Sequence, residues 1–274
     1  MPLPVALQVY SVRDDFHKDY EGTLKKIKEM GYDGVELAGL GSHDASEIRK
    51  VLDCIGLSCI SSHVPFDAIA ANPENTFAEY KILGCKYIAI PWLDTDMAPG
   101  GKDFDKVIPD ILNIGKTAKE NGVTLLYHNH DFEFRKIDDK YALDVLYDSI
   151  PAEYLQTQID VCWVKVAGLC PAQYLRKYKG RAPLVHLKDF VMGDKATGAL
   201  YDLIGADTAK DAKADKSEFS FKPLGRGIVD IPAVLDASEY VGANWVVVEQ
   251  DASTEYPPLE AVKISREYLR SLGW

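Results

Sequence analysis

The chain alternates short apolar runs with longer stretches in which apolar residues recur every three or four positions. Short apolar runs between polar residues predict buried strands, and the longer spacing predicts amphipathic helices. The predicted strands are Leu3–Val9, Asp33–Leu37, Leu57–Ser62, Lys86–Ile90, Val123–His128, Leu155–Asp160, Ala182–Leu187 and Trp245–Glu249. The predicted helices are Tyr20–Met30, Ala45–Cys54, Glu74–Leu83, Phe104–Asn121, Ala142–Ser149, Pro171–Tyr178, Ile231–Tyr240 and Leu259–Leu269.

A glycine recurs where a predicted helix gives way to a predicted strand. The phrases that contain it are EMGYDGVEL, CIGLSCISS, ILGCKYIAI, ENGVTLLYH and YVGANWVVVE. Eight strand–helix units with right-handed crossovers predict a single (β/α)₈ TIM barrel, and 274 residues are close to its usual length of about 250. An open doubly wound sheet is the alternative. It is disfavoured because no glycine-rich phosphate motif follows the first strand.

One segment interrupts the alternation, at about residues 191–222. It is rich in Asp, Lys, Ala and Gly over Val191–Phe221 and has little periodicity. We interpret it as a long βα loop within one TIM-barrel domain that spans residues 1–274. Loops of this length are usually functional or disordered, so the sequence fits both a lid over the barrel mouth and a mobile insertion.

Composition restricts the partners that the protein can have. With 31 basic against 42 acidic residues, the net charge is −11, which disfavours a nucleic acid partner because phosphates bind basic faces. The five cysteines form no CxxC pair, so a disulfide framework is not expected. The amino-terminal region has no basic segment before its apolar run, and no apolar stretch approaches the roughly 18 residues of a membrane span. We therefore expect a soluble, cytoplasmic protein that does not associate with membranes.

Four consecutive predicted strands end in a potential metal ligand. These residues are His128, Asp160, His186 and Glu249. A TIM barrel builds its active site at the carboxyl ends of its strands, so the four side chains are expected at one height. Burying unpaired carboxylates beside apolar runs is costly, and a metal ion supplies the missing partner. Two imidazoles and two carboxylates suit Mn²⁺, Co²⁺, Zn²⁺ or Fe²⁺ better than Ca²⁺ or Mg²⁺.

Further polar residues belong to the same predicted face. Period-two alternation places His130 with His128, Lys188 with His186, Gln158 with Asp160 and Asp251 with Glu249. We predict as catalytic residues Glu249, His130, Lys188 and His63. We predict as substrate-binding residues Glu36, His63, Trp92, Lys188 and Arg226. Lys188 would neutralise an enolate or alkoxide oxygen beside the metal.

Most of these residues also have an ordinary structural interpretation. Asp160 and Glu249 would serve as helix N-caps in tight βα turns. Lys188 would form a surface ion pair with Asp189, and Glu36 would hold the barrel wall through backbone hydrogen bonds. Trp92 would either stack on a sugar or pack at the rim. Arg226 lies in PLGRGIVD, which would either approach a phosphate or carboxylate or form a simple turn.

Several motifs together resemble the sugar phosphate isomerase/epimerase group of xylose isomerase-like barrels. They are LQVYSVRDDF, GYDGVELAG, YHNHDFEF, QID followed by VHLKDF, PLGRGIVD and VVVEQD, and the likeness covers nearly the whole chain. The group includes ketose 3-epimerases, inosose dehydratase, lyases of 3-keto-glycosides and C-glycosides and, more distantly, endonuclease IV. The resemblance implies one divalent metal ion, commonly Mn²⁺, and a small carbohydrate substrate. Its four ligands, Glu, Asp, His and Glu, correspond to His128, Asp160, His186 and Glu249. A homo-oligomer joined through the outer helices is also implied.

The chain departs from this pattern at one ligand, since it has His128-Asn129-His130 where the group has ENH. The epimerases of the group use two metal-bound glutamates as opposed acid and base, and an imidazole bound to metal is not a free base. We therefore favour a one-base reaction. Glu249 would remove a proton α to a carbonyl, the metal would stabilise the enediolate, and His130 or His63 would be the acid.

Two alternatives belong to other functional classes. The replacement of a ligand glutamate by His128 also fits a sugar-binding or accessory barrel that has lost activity. A nuclease similar to endonuclease IV is disfavoured by the charge of −11 and by the single ligand set.

Overall fold

Eight parallel strands close into a barrel in the computed structural model, which describes residues 2–41, 43–193 and 219–274. The described strands, in chain order, are β1 (Val5–Gln8), β2 (Gly34–Leu37), β3 (Ser58–His63), β4 (Tyr87–Ile90), β5 (Thr124–His128), β6 (Lys136–Ile137), β7 (Lys140–Tyr141), β8 (Gln156–Asp160), β9 (Leu184–Leu187), β10 (Asp189–Met192), β11 (Phe219–Lys222) and β12 (Trp245–Val248). The order around the barrel is β1–β2–β3–β4–β5–β8–β9–β12, and β12 pairs with β1 to close it. The predicted (β/α)₈ barrel is confirmed.

Helices connect successive barrel strands. The described α-helices are α1 (Arg13–Lys18), α2 (Tyr20–Glu29), α3 (Ala45–Ile55), α4 (Phe66–Ala71), α5 (Pro73–Ile82), α6 (Phe104–Glu120), α7 (Ala142–Ser149), α8 (Val161–Val166), α9 (Pro171–Arg176), α10 (Ile231–Val241) and α11 (Pro258–Ser271), and two 3₁₀-helices span Val9–Val12 and Phe132–Phe134. All eight predicted helices are present. The sequence pattern did not predict α1, α4 and α8. Each of these α-helices has six residues, which is too short to show a helical period. No helix in the described ranges is long and apolar enough to cross a membrane.

Glycine ends the helices as the recurring phrase predicts. Gly56 after α3 and Gly242 after α10 have φ angles of 67° and 80°, in the left-handed region that glycine adopts without steric cost. The backbone N–H of each glycine donates to carbonyl groups of the preceding helical turn. These caps turn the chain directly into the next buried strand.

The inside of the barrel is divided into an apolar layer and a polar layer. The apolar layer consists of Ala6, Ile60, Tyr87, Ala89, Leu126, Leu184 and Val247. Two residues further along four of these strands, the inward positions hold Gln8, His128, His186 and Glu249, all buried. Outward-facing residues such as Leu7, Val185 and Val246 pack in the larger core with the helices. The apolar layer therefore closes the barrel below a polar layer at the carboxyl ends of the strands.

The predicted βα loop at about residues 191–222 begins and ends in strands that pair with each other. β10 and β11 form an antiparallel pair in which Asp189 opposes Lys222 and Met192 opposes Phe219. Phe190, Phe219 and Phe221 are buried, so side-chain packing holds this pair against the barrel. The lid interpretation concerns residues 194–218, which lie outside the described residues.

Candidate functional site

The four predicted metal ligands converge at the carboxyl ends of neighbouring strands. His128 is the last residue of β5, and Asp160 is the last residue of β8. His186 lies within β9, and Glu249 directly follows β12. One nitrogen or oxygen atom of each residue lies within 4.8 Å of the corresponding atoms of the other three. All four side chains are buried. The barrel order β5–β8–β9–β12 brings them together because adjacent parallel strands end at the same height.

The charge of the cluster fits a divalent cation. Four buried carboxyl groups lie in the cluster or next to it, those of Glu36, Asp160, Glu249 and Asp251. Two groups that favour the cationic state, His186 and Lys188, lie among them. Burial raises the pKa of Asp251 to about 7, although Lys188 opposes the shift. Burial likewise raises the pKa of Asp160, and a divalent cation between the two aspartates would favour the ionised form of both. Together with two imidazoles and two carboxylates in one shell, this matches a site for a divalent transition metal.

Lys188 lies between three carboxyl groups. Its Nζ atom is 3.0 Å from Oδ2 of Asp160, 2.9 Å from Oε2 of Glu249 and 3.0 Å from Oδ1 of Asp251. Burial disfavours the charge of Lys188, but these carboxylates outweigh it and raise its pKa. The alternative of a surface ion pair with Asp189 is wrong, because Lys188 is 1% exposed and pairs with other residues.

Asp160 caps a helix through one carboxylate oxygen and faces the buried cluster through the other. Its Oδ1 atom accepts a hydrogen bond from the backbone N–H of Cys162 at 2.8 Å and caps α8. Its Oδ2 atom faces Nζ of Lys188 at 3.0 Å and Nε2 of His128 at 3.8 Å. Glu249 caps no helix among the described residues, and its Oε2 atom is 2.9 Å from Nδ1 of His186. One oxygen of Asp160 therefore serves the fold and the other faces the site.

Glu36 is fully buried and surrounded by side-chain donors. Its Oε1 atom is 2.8 Å from Nε2 of Gln8, 2.7 Å from Nε2 of His186 and 3.1 Å from Nε2 of His63. Its Oε2 atom accepts from Nε2 of Gln158 at 2.6 Å. Burial opposes ionisation, but His63 and His186 outweigh it and hold the pKa of Glu36 well below its ordinary value. These side-chain contacts replace the backbone hydrogen bonds of the alternative interpretation.

The other two histidines adjoin the cluster. His63 is partly exposed, with 12% of its side chain accessible, and its ring centroid is 4.8 Å from that of His128. His130 is buried with its ring centroid 5.1 Å from that of His128, and it stacks on Phe132. Burial lowers the pKa of His130 well below its ordinary value, so its ring is neutral. Both histidines are close enough to act on a substrate at the cluster.

The two remaining predicted substrate contacts, Trp92 and Arg226, are less buried than the residues of the cluster. Trp92 is half-buried in the segment that follows β4. Arg226 is exposed, donates to the hydroxyl of Tyr256 and lies 5.1 Å from the centre of its ring. Their roles in substrate binding stay predictions.

The PLGRGIVD segment wraps around the carboxylate of Asp189. The backbone N–H groups of Gly225 and Gly227 donate to Oδ2 at 3.0 and 2.9 Å, and that of Val229 donates to Oδ1 at 3.0 Å. A Cβ atom on Gly227 would lie 2.1 Å from Oδ1, so only glycine fits there. These donors are occupied, which argues against the segment as a phosphate cradle. No sequence pattern indicates this role for Asp189.

Two further buried residues were missed. Gln8 ends β1 at the same height as Glu36 and was overlooked because a neutral amide does not stand out at the end of an apolar run. Glu133 accepts from the hydroxyl of Tyr127 at 2.6 Å and from the backbone N–H of His130 at 2.8 Å. Burial raises the pKa of Glu133 to about 8, despite these hydrogen bonds. It supports the turn that carries His130.

Comparison with known proteins agrees with this architecture. The xylose isomerase-like TIM barrel family matches residues 24–272. The chain belongs to this family. An inosose dehydratase from Clostridium perfringens is 23% identical, with 92% of this chain and 89% of the relative covered.

Two solved structures share the fold. A sugar phosphate isomerase/epimerase from Parabacteroides distasonis has a TM-score of 0.78 and 18% identity and covers 99% of this chain and 94% of its own. The IolI protein, solved with a bound zinc atom, has a TM-score of 0.71 and 14% identity, with 98% of each chain covered. The predicted family is confirmed, and with it the prediction of an isomerase-, epimerase- or lyase-like enzyme.

Proposed function

We propose that this enzyme isomerises, dehydrates or eliminates from a sugar, keto-sugar or cyclitol, beginning with removal of a proton α to a carbonyl. The observation that carries the proposal is the buried cluster of His128, Asp160, His186 and Glu249, with Lys188 beside it. We propose that the four residues hold one divalent ion, Mn²⁺ in the first place, with Co²⁺, Zn²⁺ and Fe²⁺ as alternatives. Such an ion would polarise the substrate carbonyl and its neighbouring hydroxyl.

Glu249 is the base in this proposal. Burial disfavours its charge, but Lys188 and His186 outweigh burial and hold its pKa well below the ordinary value, so the carboxylate is ionised and can accept a proton. The C–H electron pair then becomes the double bond of an enol. The ammonium group of Lys188, 2.9 Å from Glu249, is placed to stabilise the negative charge that develops on the substrate oxygen.

The second half of the reaction needs an acid. His63 is partly exposed at the mouth and is the first candidate to deliver a proton. His130 lies next to His128, but burial holds its pKa well below the ordinary value, so it is the weaker candidate. Returning a proton to the neighbouring carbon completes an isomerisation. Protonating a β-hydroxyl lets it leave as water and completes a dehydration. Because His128 stands where the related pattern has a glutamate, an imidazole replaces one of the two glutamates that serve as acid and base in epimerisation, which favours these outcomes over two-base epimerisation.

An unphosphorylated substrate fits the site best. The backbone donors of PLGRGIVD already bind Asp189. The name of the inosose dehydratase relative supports a cyclitol ketone or a related keto-sugar. We further propose that the chain is one domain located in the cytoplasm. The five cysteines are free thiols, which agrees with a reducing compartment.

Turnover in deuterated water tests the proposal. The metal-loaded protein would be incubated with inososes, 3-keto sugars and ketoses, and NMR would follow deuterium uptake or elimination at the carbon next to the carbonyl. We expect one substrate class to react, Glu249→Gln to lose at least about 10³-fold in rate, and Glu239→Gln on the outside of α10 to react as the wild type does. Saturable carbohydrate binding without exchange or turnover would contradict the proposal and favour an accessory barrel.

A further inference from the structure

Side-chain donors surround both oxygens of the Glu36 carboxyl group and set the direction of the hydrogen bonds around it. The Oε1 atom of Gln8 accepts from the backbone N–H of Tyr10, so its Nε2 atom faces Oε1 of Glu36 and donates. A carboxylate oxygen only accepts hydrogen bonds. The groups that contact it, Gln8, His63, Gln158 and His186, must therefore all donate. For His186 this places a proton on Nε2, the nitrogen 2.7 Å from Oε1 of Glu36.

Gln158 transmits this constraint to a second histidine. Its amide NH₂ group must face Oε2 of Glu36, at 2.6 Å, so its carbonyl oxygen faces the other way. That Oε1 atom is 3.1 Å from Nδ1 of His128 and 2.7 Å from Nε2 of His63. A carbonyl oxygen only accepts, so His128 carries a proton on Nδ1.

The two imidazoles are thereby held through opposite nitrogens. His128 donates from Nδ1 to Gln158, and its Nε2 atom faces Oδ2 of Asp160 at 3.8 Å. His186 donates from Nε2 to Glu36, and a cation would replace the proton on its Nδ1 atom, which faces Oε2 of Glu249 at 2.9 Å. In each ring, therefore, one nitrogen donates to Gln158 or Glu36, and the other nitrogen faces a carboxylate ligand.

We infer that Glu36 and Gln158 act together as positioning residues that fix the tautomers of the two histidines. His128 then presents Nε2, and His186 presents Nδ1, to one divalent cation. This inference rests on the proposed metal site and gives it a definite pair of ligand atoms. It also explains how an imidazole serves at position 128, since the amide oxygen of Gln158 supplies the acceptor that a histidine ligand requires at its other nitrogen.

The direct test is histidine NMR on the Zn²⁺-loaded protein, with ¹⁵N-labelled histidine and long-range ¹H–¹⁵N correlation. In the wild type we expect coordination through Nε2 of His128 with a proton on Nδ1, and through Nδ1 of His186 with a proton on Nε2. The opposite nitrogen in either ring overturns the inference. This measurement requires no variant, so it holds even if a substitution fails to fold.

Variants test the roles of Glu36 and Gln158 separately. Glu36→Gln and Gln158→Leu should each weaken Zn²⁺ binding about 10- to 100-fold in a chelator competition assay, as loss of outer ligand-orienting residues does. Glu133→Gln is the matched control, because Glu133 is an equally buried glutamate whose side-chain hydrogen bonds, within the described part of the chain, go to the backbone of His130 and the hydroxyl of Tyr127. Its Zn²⁺ affinity should stay within twofold of the wild type.

Failure of this inference is distinguishable from failure of the proposed function. If the wild type binds no Zn²⁺, Mn²⁺ or Co²⁺, the metal site itself is wrong, and the positioning role falls with it. If the wild type binds metal but Glu36→Gln and Gln158→Leu bind it as tightly as Glu133→Gln, only the positioning role is refuted.

Discussion

Lys188 and Glu249 form a buried ion pair, with 2.9 Å between Nζ and Oε2. The same ammonium group contacts Asp160 and Asp251, so one cation neutralises parts of three carboxyl groups inside the barrel. Removing one partner of a buried ion pair is far more costly than removing a surface charge.

Lys188→Met should therefore lower the free energy of unfolding by roughly 3–5 kcal/mol, because it leaves buried carboxylates without their counter-charge. Urea denaturation of the metal-free protein measures this. The control is Lys106→Met, which removes an exposed lysine paired with Asp103 and should change stability by less than about 0.5 kcal/mol. A loss below about 1 kcal/mol for Lys188→Met would show that the carboxyl groups do not depend on this ammonium group.

Glu133 makes stability depend on pH. Burial raises its pKa from 4.5 to about 8, so the folded state holds a proton that the unfolded state releases. Its contribution to stability is fully present below about pH 4.5 and is lost as the pH rises toward 8. Glu133→Gln imitates the protonated side chain, so its stability relative to the wild type should increase by roughly 4 kcal/mol between these pH values, at about 1.4 kcal/mol per pKa unit. Parallel pH profiles of unfolding for the two proteins would refute this.

Asp189 anchors the PLGRGIVD segment through four backbone N–H donors, those of Phe190, Gly225, Gly227 and Val229. Asp189→Ala should cost roughly 3 kcal/mol, because two buried and two partly buried N–H donors lose a charged acceptor. Amide hydrogen exchange should accelerate at Gly225 and Gly227 and remain slow in the barrel strands. Asp236→Ala, at an exposed position on α10, is the control. Unchanged exchange at both glycines would show that Asp189 is not the anchor.

The regular part of the fold was predictable because each element carries a local signal. α3 and α10 end in glycines with left-handed backbones, and the strands that follow are apolar runs of the right length. α8 was not predictable in the same way. Four of its residues, Val161–Val164, are buried, so VCWVKV has no polar face and reads as a continuation of the strand before it.

For the site, the sequence could predict which residues stand at the ends of the strands but not which side chains contact each other. The period-two alternation of a strand placed Gln158 and Asp160 on the same face of β8, as the structure shows. Its hydrogen bond to Glu36 joins residues 122 positions apart across the barrel. No local pattern reports such a pairing, because it depends on how the barrel closes. The opposite tautomers of His128 and His186 follow from that pairing and therefore had no sequence signal.

Metal titration of Asp160→Asn tests the central claim most directly. The substitution keeps an oxygen to cap α8 and removes the charge that faces His128 and Lys188. Asp230→Asn is the matched control, because Asp230 caps α10 in the same way through the N–H of Ala233, outside the cluster. Chelator competition with Mn²⁺ and Zn²⁺ should give one bound ion per chain in the wild type and in Asp230→Asn, and at least about 100-fold weaker binding in Asp160→Asn. Equal binding by all three proteins, or no saturable binding by the wild type, would contradict a shared metal at these four side chains.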